Sequence, residues 1–532
     1  MKKAKKLLAL LLVCLMAVSI ASCGGGGGET PPTAGDPSPT GASPGPADPS
    51  PGPADPGDPG RTLNIAAMQD SGTLYPLGVT GGFISVLYAF YEPLFETRTD
   101  GSRRWVLGTG LEMISELQYT LTIRDDVTFS NGNKLTAEDV MFSMELCRDN
   151  PQFALNVKVV DFEKTKVTGD YTIDLWYTEF NASQEPGFTQ LLIMDKESYD
   201  EVALSRSPVG TGPYVVTDYV VNSHLRVTAR DDYWGGDPPI KNIEFKVINE
   251  DAQIVNALAT DDVDMAVIPI TEADFVESLG YKVNIYNAGY TYVTLLSMLP
   301  GNPLESRDAR WAVSHAIDRQ AIIDVLFQGK STITDYPCSH SAPDFEQRFL
   351  NLNETYSIGY DPDRAKDLAD QSGLTGKTLR IITNGSQQHN TVAEMIQSNL
   401  LDIGIDASIV AYDQATYFPT MMDASNFEIA IFTPSSPSLL AVDILAMYLT
   451  FITLGWTGPD RDLYGEISMG AISASDEAER REKLFETVKM FVEFDPWYSL
   501  CEFVISRAQS ADLRGVEYMI SGSIFYQDIS FN

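Results

Sequence analysis

The stretch YTLTIRDDVTFSNGNKLTAEDVMFSME, residues 119–145, reads as strand, turn and helix in one pass. Tyr119, Leu121 and Ile123 alternate with polar neighbours, the period of a half-buried strand. Asn131-Gly132 is a turn signal, because both residues tolerate the left-handed backbone that a tight turn needs. Thr136 with Asp139 three positions on forms a capping-box-like start, so a helix is expected there with Val140, Met144 and Cys147 on its buried face.

The same alternation of strand and helix recurs downstream. Ile243, Phe245 and Val247 alternate as a strand, Ile254, Val255 and Leu258 share one face of a short helix, and 265–268 is a second strand. The stretch 361–432 is clearer. Asp361 is an N-cap with Pro362 at the first helical position, Ala365, Leu368 and Ala369 form a stripe, and Gly373 stops the helix. Strand 379–383 follows, then a helix at 391–402 with Val392, Met395, Ile396, Leu400 and Ile403 inward and Gly404 behind it. Ile405, Ala407 and Ile409 make another strand, 414–423 a helix, and 427–432 a strand. This β-α-β-α-β order implies a mostly parallel sheet covered by helices. Two such regions apart in sequence imply two α/β lobes, with ligand bound in the cleft between them.

The chain begins with a positive segment, Lys2, Lys3, Lys5 and Lys6, and then an apolar run over 7–20. That run has the length of a signal-peptide core and is short of the roughly 20 residues that span a bilayer. Ile20-Ala21-Ser22-Cys23 closes it and resembles the bacterial lipobox, in which Cys23 is acylated and becomes the first mature residue. An ordinary secretory signal with an incidental cysteine is the alternative. Residues 24–60 hold Gly, Pro, Ser, Ala and Asp, repeat SPGPADP at 43–49 and 50–56, and have no large apolar side chain. Such a composition has nothing to bury against the entropy of ordering. As extended Pro-rich chain it would reach on the order of 100 Å. The motif GASPG at 41–45 matches a hydrolase pattern by chance, since it lies in this linker.

The formal net charge is −36, and removal of the four leader lysines takes it to −40. That charge repels nucleic acid and anionic lipid, and it says nothing about cargo. Beyond the leader and Cys23 the cysteines are Cys147, Cys338 and Cys501. They allow at most one disulfide, so no disulfide framework holds the fold; buried small hydrophobes is the expected role. The four histidines, His224, His315, His340 and His389, stand singly, with no HExxH or CxxC, and neither a built-in metal nor a cofactor is expected. GKS at 329–331 and GKT at 376–378 are not P-loops, because Asp324 and Gln371 stand where the first glycine is required. Asp261, Asp262 and Asp264 lack the remaining ligands of a calcium loop and read as a solvated turn.

YEPLFE at 91–96, together with the 119–145 stretch, resembles the family 5 extracellular solute-binding proteins, which include binding proteins for oligopeptides, dipeptides and nickel. SPVGTGPYVV at 207–216, ARDDYWGGDPPIKNIEFKVI at 229–248, ESRDARWAVSHAIDRQAIIDVLFQGK at 305–330 and YDPDRAKDLADQSG at 360–373 match further family stretches in order. ADLRGVEYMISGSIFYQDISF at 511–531 resembles the family's C-terminal return strand. The resemblance implies a type II two-lobe periplasmic-binding-protein-like clamp with an extra domain inserted in the first lobe. The expected division is 1–22 signal peptide; 23–60 lipidated cysteine and linker; 61–90, 204–288 and 496–532 first lobe; 91–203 inserted domain; 289–495 second lobe. Crossings between lobes are expected near 290–294 and 494–497.

The resemblance further implies an extracytoplasmic, lipid-anchored and monomeric binding subunit that passes peptides or similar-sized solutes to a membrane permease and its ATPase. A peptide sensor without transport and a tethered hydrolase are the alternatives. Positions matching the family's ligand contacts are Thr73, Leu74 and Tyr75, then Tyr290 and Tyr292, then Thr433, Ser435 and Ser436. Tyr88, Tyr417 and Trp456 are added as aromatic candidates, each equally readable as core. Peptide-binding members place an aspartate after the strand matching 427–432, where it pairs with the peptide's ammonium. Here that segment reads FTPSSPSLLAVD, and the first carboxylate is Asp443.

Overall fold

The computed structural model describes residues 60–532 apart from Met68, Thr80, 99–101, Pro151, Ser183, Pro337, 357–358, 435–439 and 449–453. The leader, Cys23, the proline-rich segment, Ser435 and Ser436 lie outside the described residues.

One ten-stranded sheet runs through both lobes. Its order is Asp406–Ala411, Thr378–Thr383, Ile429–Phe432, Lys282–Leu296, Trp497–Gln509, Met265–Ile268, Thr62–Ala67, Asn242–Val247, His224–Ala229 and Tyr214–Val220. The three strands of the 378–432 stretch are parallel, as their helical connections require. The three strands around Thr62–Ala67 are parallel too. The sheet as a whole is mixed, not mostly parallel. Lys282–Leu296 and Trp497–Gln509, the two long central strands, run antiparallel to each other and to their outer neighbours.

Local signals explain the elements around this sheet. At the helix Ala137–Asp149, the backbone N–H and the hydroxyl of Thr136 both donate to Asp139 Oδ2 at 2.8 Å, and Val140, Met144 and Cys147 are buried. Asp361 accepts from the N–H of Arg364 at 3.0 Å, and Gly373 ends that helix at φ +76°. The next helix starts earlier than its apolar stripe suggests. It spans Gln387–Asp402, capped by Ser386, whose hydroxyl accepts from the N–H of His389. The stretch 511–531 is not the return strand. That role belongs to Trp497–Gln509, and the tail forms a short antiparallel pair, Leu513–Arg514 with Ser530–Phe531.

The family stretches meet in space, which explains their residue types. A Cβ on Gly210 would stand 2.1 Å from the carbonyl oxygen of Phe90, and one on Gly212 would stand 2.6 Å from its carbonyl carbon. Gly212 donates its N–H to that oxygen at 2.8 Å, so no side chain fits at either glycine. Glu92, fully buried, accepts from the Tyr233 hydroxyl at 2.7 Å and the Trp234 indole N–H at 2.9 Å. Glu96, equally buried, accepts from the hydroxyls of Tyr88, Ser523 and Ser521. Burial pushes both carboxyls up to about 7, against the lowering by their donors. YEPLFE is therefore a junction: it ties the inserted region to the first lobe and to the C-terminal tail.

The first lobe's main core extends without a break into the inserted region, whose four-stranded antiparallel sheet is Gly108–Ser115, Gln118–Ile123, Thr172–Trp176 and Lys166–Gly169. The second lobe has one core on each face of its wing of the sheet. Alternate residues of one crossing strand serve both: Val293 and Leu295 enter one core, Tyr292 and Leu296 the other. Cys147, Cys338 and Cys501 are free and buried.

Candidate functional site

The cleft is defined by the two strands that pass from lobe to lobe. Lys282–Leu296 pairs with Trp497–Gln509 over its whole length, and the register breaks between Asn287 and Thr291, opposite Val504 and Glu502. The break is a bulge at the crossing, with Gly289 at φ +80°, and Tyr290 lies in it. Bulges bend a strand and re-aim its side chains, and this one falls where the strand passes between the lobes. The second crossing falls inside Trp497–Gln509, since Trp497 still packs in a second-lobe core while Ala508 packs in the first lobe.

Polar groups hold the bulge. The Asn287 side chain accepts from the Gly289 N–H at 2.9 Å and donates to the Ser339 hydroxyl at 2.8 Å. Glu502, 2 % exposed, accepts from that hydroxyl at 2.9 Å and from the His340 N–H at 2.7 Å. Burial raises the Glu502 carboxyl, while His340 and Ser339 pull it down. The same segment continues to Asp344, whose carboxylate accepts from the N–H groups of Ala441 and Val442 at 2.6 and 3.0 Å. One short segment of the second lobe thus links the hinge to the helix start that follows residues 433–440.

The lobes touch at the rim and at the back. Ala182 of the inserted region donates its N–H to the carbonyl of Ile472 in the second lobe at 2.9 Å. Behind the sheet, Lys330 pairs with Asp274 at 2.5 Å and Gln328 donates to the carbonyl of Thr271. The clamp is closed in this structure.

The sequence candidates divide by what surrounds them. Leu74 and Tyr75 are buried in the first-lobe core, and Tyr75 shares a 2.9 Å hydrogen bond with Tyr199. Tyr88 is engaged by Glu96 and by the carbonyl of Thr189. Tyr292 donates to Gln388 at 2.9 Å, Tyr417 to the carbonyl of Ile431, and Trp456 packs on Tyr464 and Phe494. Asp443 is buried on the helix that Asp344 caps. Thr73, Tyr290 and Thr433 keep partial exposure.

Residues missed by sequence reasoning stand beside Tyr290. Asn284 pairs with Arg507 and Tyr286 with Ile505, so Tyr286 and Arg507 share one face of the sheet. Tyr286 stacks on Tyr518 at 5.6 Å and 14°, with the Arg507 guanidinium 5.3 and 4.5 Å from the two rings. Burial pushes the Tyr286 hydroxyl up to about 12; Arg507 pulls it down, and Tyr518 and Tyr290 add to the rise. The one signal in sequence was the run of tyrosines 286, 290 and 292, since nothing local marks Arg507. Among the described residues no group of three or more His, Cys, Asp or Glu side chains is placed to hold a metal ion. No described helix is long and apolar enough to cross a membrane.

Two α/β lobes joined by two crossing strands, closed over a polar and aromatic hinge, define a type II periplasmic-binding-protein clamp. The profile of the bacterial extracellular solute-binding proteins, family 5, middle region, matches residues 112–450, and the chain belongs to that family. It is 26 % identical over 364 residues to the nickel-binding periplasmic protein of Escherichia coli K12, covering 63 % of this chain and 68 % of that protein. The ABC transporter substrate-binding protein CtaP of Listeria monocytogenes superposes with a TM-score of 0.77 at 19 % identity, over 89 % of this chain and 99 % of that one. The periplasmic binding protein DppA of Helicobacter pylori, solved with the peptide STSA, gives 0.69 at 20 % identity, over 88 % and 98 %. The chain is accordingly a solute-binding protein, in a family of bacterial extracellular binding proteins.

Proposed function

We propose that the protein is a lipid-anchored receptor that captures a peptide between its lobes and delivers it to a permease and ATPase in the membrane. The observation that carries this reading is the closed clamp over a bulged hinge, with Tyr290, Thr73 and Thr433 left partly exposed. Aromatic faces with hydroxyl tips suit a peptide, giving contact area and hydrogen bonds at little rotamer cost. The solved DppA relative holds a peptide, which supports that cargo class. A metal complex is the second reading, favoured by the nickel-binding relative. The division into a first lobe, a domain inserted at 91–203 and a second lobe at 289–495 belongs to the same proposal. So does a monomer acting alone, with cargo contacts from Thr433, Ser435 and Ser436. No catalytic group is assigned: the buried acids Glu92, Glu96 and Glu502 are engaged in hydrogen bonds within the fold.

A receptor returns its cargo unchanged. After incubation of the purified mature chain with STSA, mass spectrometry of the bound fraction should recover intact peptide. Recovery of cleaved STSA would assign a tethered hydrolase instead.

A further inference from the structure

We infer that Arg507 is the anchor for a carboxylate carried by the cargo, an inference that rests on the receptor reading and names the chemistry the cleft selects. Arg507 is half-buried on the return strand, next to the hinge. Its Nη1 donates to the carbonyl of Gly522 at 2.8 Å, and its Nε is buried with no partner. It makes no ion pair among the described residues, in a chain whose formal charge is −36. The Tyr286 hydroxyl is likewise buried without a partner, and a Cβ on Gly522 would stand 3.0 Å from Arg507 Nη2 and 4.0 Å from that hydroxyl. Arg507 Nε and the Tyr286 hydroxyl are thus two buried polar atoms left unpaired, and each such atom is costly. Both are relieved by one anion. The planar fork of an arginine takes a carboxylate through paired hydrogen bonds. The Tyr286 hydroxyl supplies one more donor beside it.

The face of the sheet carrying Arg507 supports the placement. The first-lobe core with its inserted region stands on this face at one end, and the second-lobe core containing Val293 stands on it at the other. The Ala182–Ile472 hydrogen bond joins the two above it. Between the two cores this face carries Tyr286 and Arg507 on adjacent strands. The Arg507 guanidinium lies beside the stacked Tyr286–Tyr518 pair, 5.3 and 4.5 Å from the two ring centroids, a cation–π contact that favours the charged side chain there.

The test uses the whole mature chain, with STSA, its C-terminal amide and citrate as probes, followed by calorimetric titration. Free STSA should bind at least about tenfold tighter than the amide. The difference should vanish in Arg507→Met and survive in part in Arg507→Lys. Citrate bound in an Arg507-dependent way, with neither peptide bound, would keep the carboxylate anchor and remove peptides as cargo. Equal affinity for STSA and its amide would overturn the anchor and leave the receptor standing. Binding of none of the three would overturn both. Should Arg507→Met fail to fold, the comparison of acid and amide on the wild-type chain still decides.

Discussion

The protein is expected to be more stable at pH 5.5 than at pH 8, by on the order of 3 kcal/mol. Six buried or half-buried carboxyls have folded pKa values above their ordinary ones. Burial pushes Glu92 and Glu96 up to about 7 and Asp344 and Asp495 up to about 6, and it raises Glu502 and Asp264. An acid whose folded pKa is raised binds more protons in the folded state. Its penalty is absent below the unfolded pKa, builds as pH rises towards the folded value and is complete above it. For these groups the window runs from about 4 to about 7. Two histidines oppose them. Burial lowers His315 and pushes His389 down to about 4, so their contribution is lost as pH falls below the ordinary histidine value. Between pH 8 and 5.5 the two glutamates outweigh the histidines, since most of their window lies there. Thermal melts should therefore shift upward by several degrees at the lower pH. The Glu92→Gln, Glu96→Gln double variant should show a smaller shift. A melting temperature that is equal or higher at pH 8 would show that these carboxyls are not desolvated as described.

The second large effect is one of location. Cys23→Ala is expected to move essentially all of the protein from the membrane fraction to the soluble one, or to leave an uncleaved precursor. The apolar run over 7–20 is too short to span a bilayer, so without acylation nothing in the leader holds the mature chain. Each buried acyl methylene contributes about 0.8 kcal/mol, and two chains anchor where one is marginal. Fractionation of cells expressing either form reads this out. Normal processing with unchanged membrane association would remove the lipid anchor from the account.

The α/β elements were legible because their signals are local. Asp361 and Gly373 bracket a helix, Thr136 with Asp139 starts another, and Leu379, Ile381 and Ile382 mark a buried parallel strand. The start of Gln387–Asp402 was missed because its first residues, Gln-Gln-His-Asn, carry no apolar stripe; Ser386 was the available cue. The long strand Lys282–Leu296 was harder to read, since Asn-Ala-Gly in its middle looks like a turn and is a bulge. The site was legible only in part. Residue type does not separate Tyr290 in the hinge from Tyr417 in the core: both are aromatic with a hydroxyl, and only packing tells them apart. Arg507, Tyr286 and Tyr518 are brought together by strand register and a tail hairpin more than 200 residues from one of them, a relation that no local pattern carries.

Cargo is expected to close the two lobes about the bulged crossing without chemistry. Small-angle scattering of the mature chain, alone and with saturating STSA, tests it most directly. A smaller radius of gyration is expected with peptide, accompanied by about 2.7 kcal/mol of added stability at 100 times the dissociation constant. An unchanged radius of gyration with peptide demonstrably bound would contradict it.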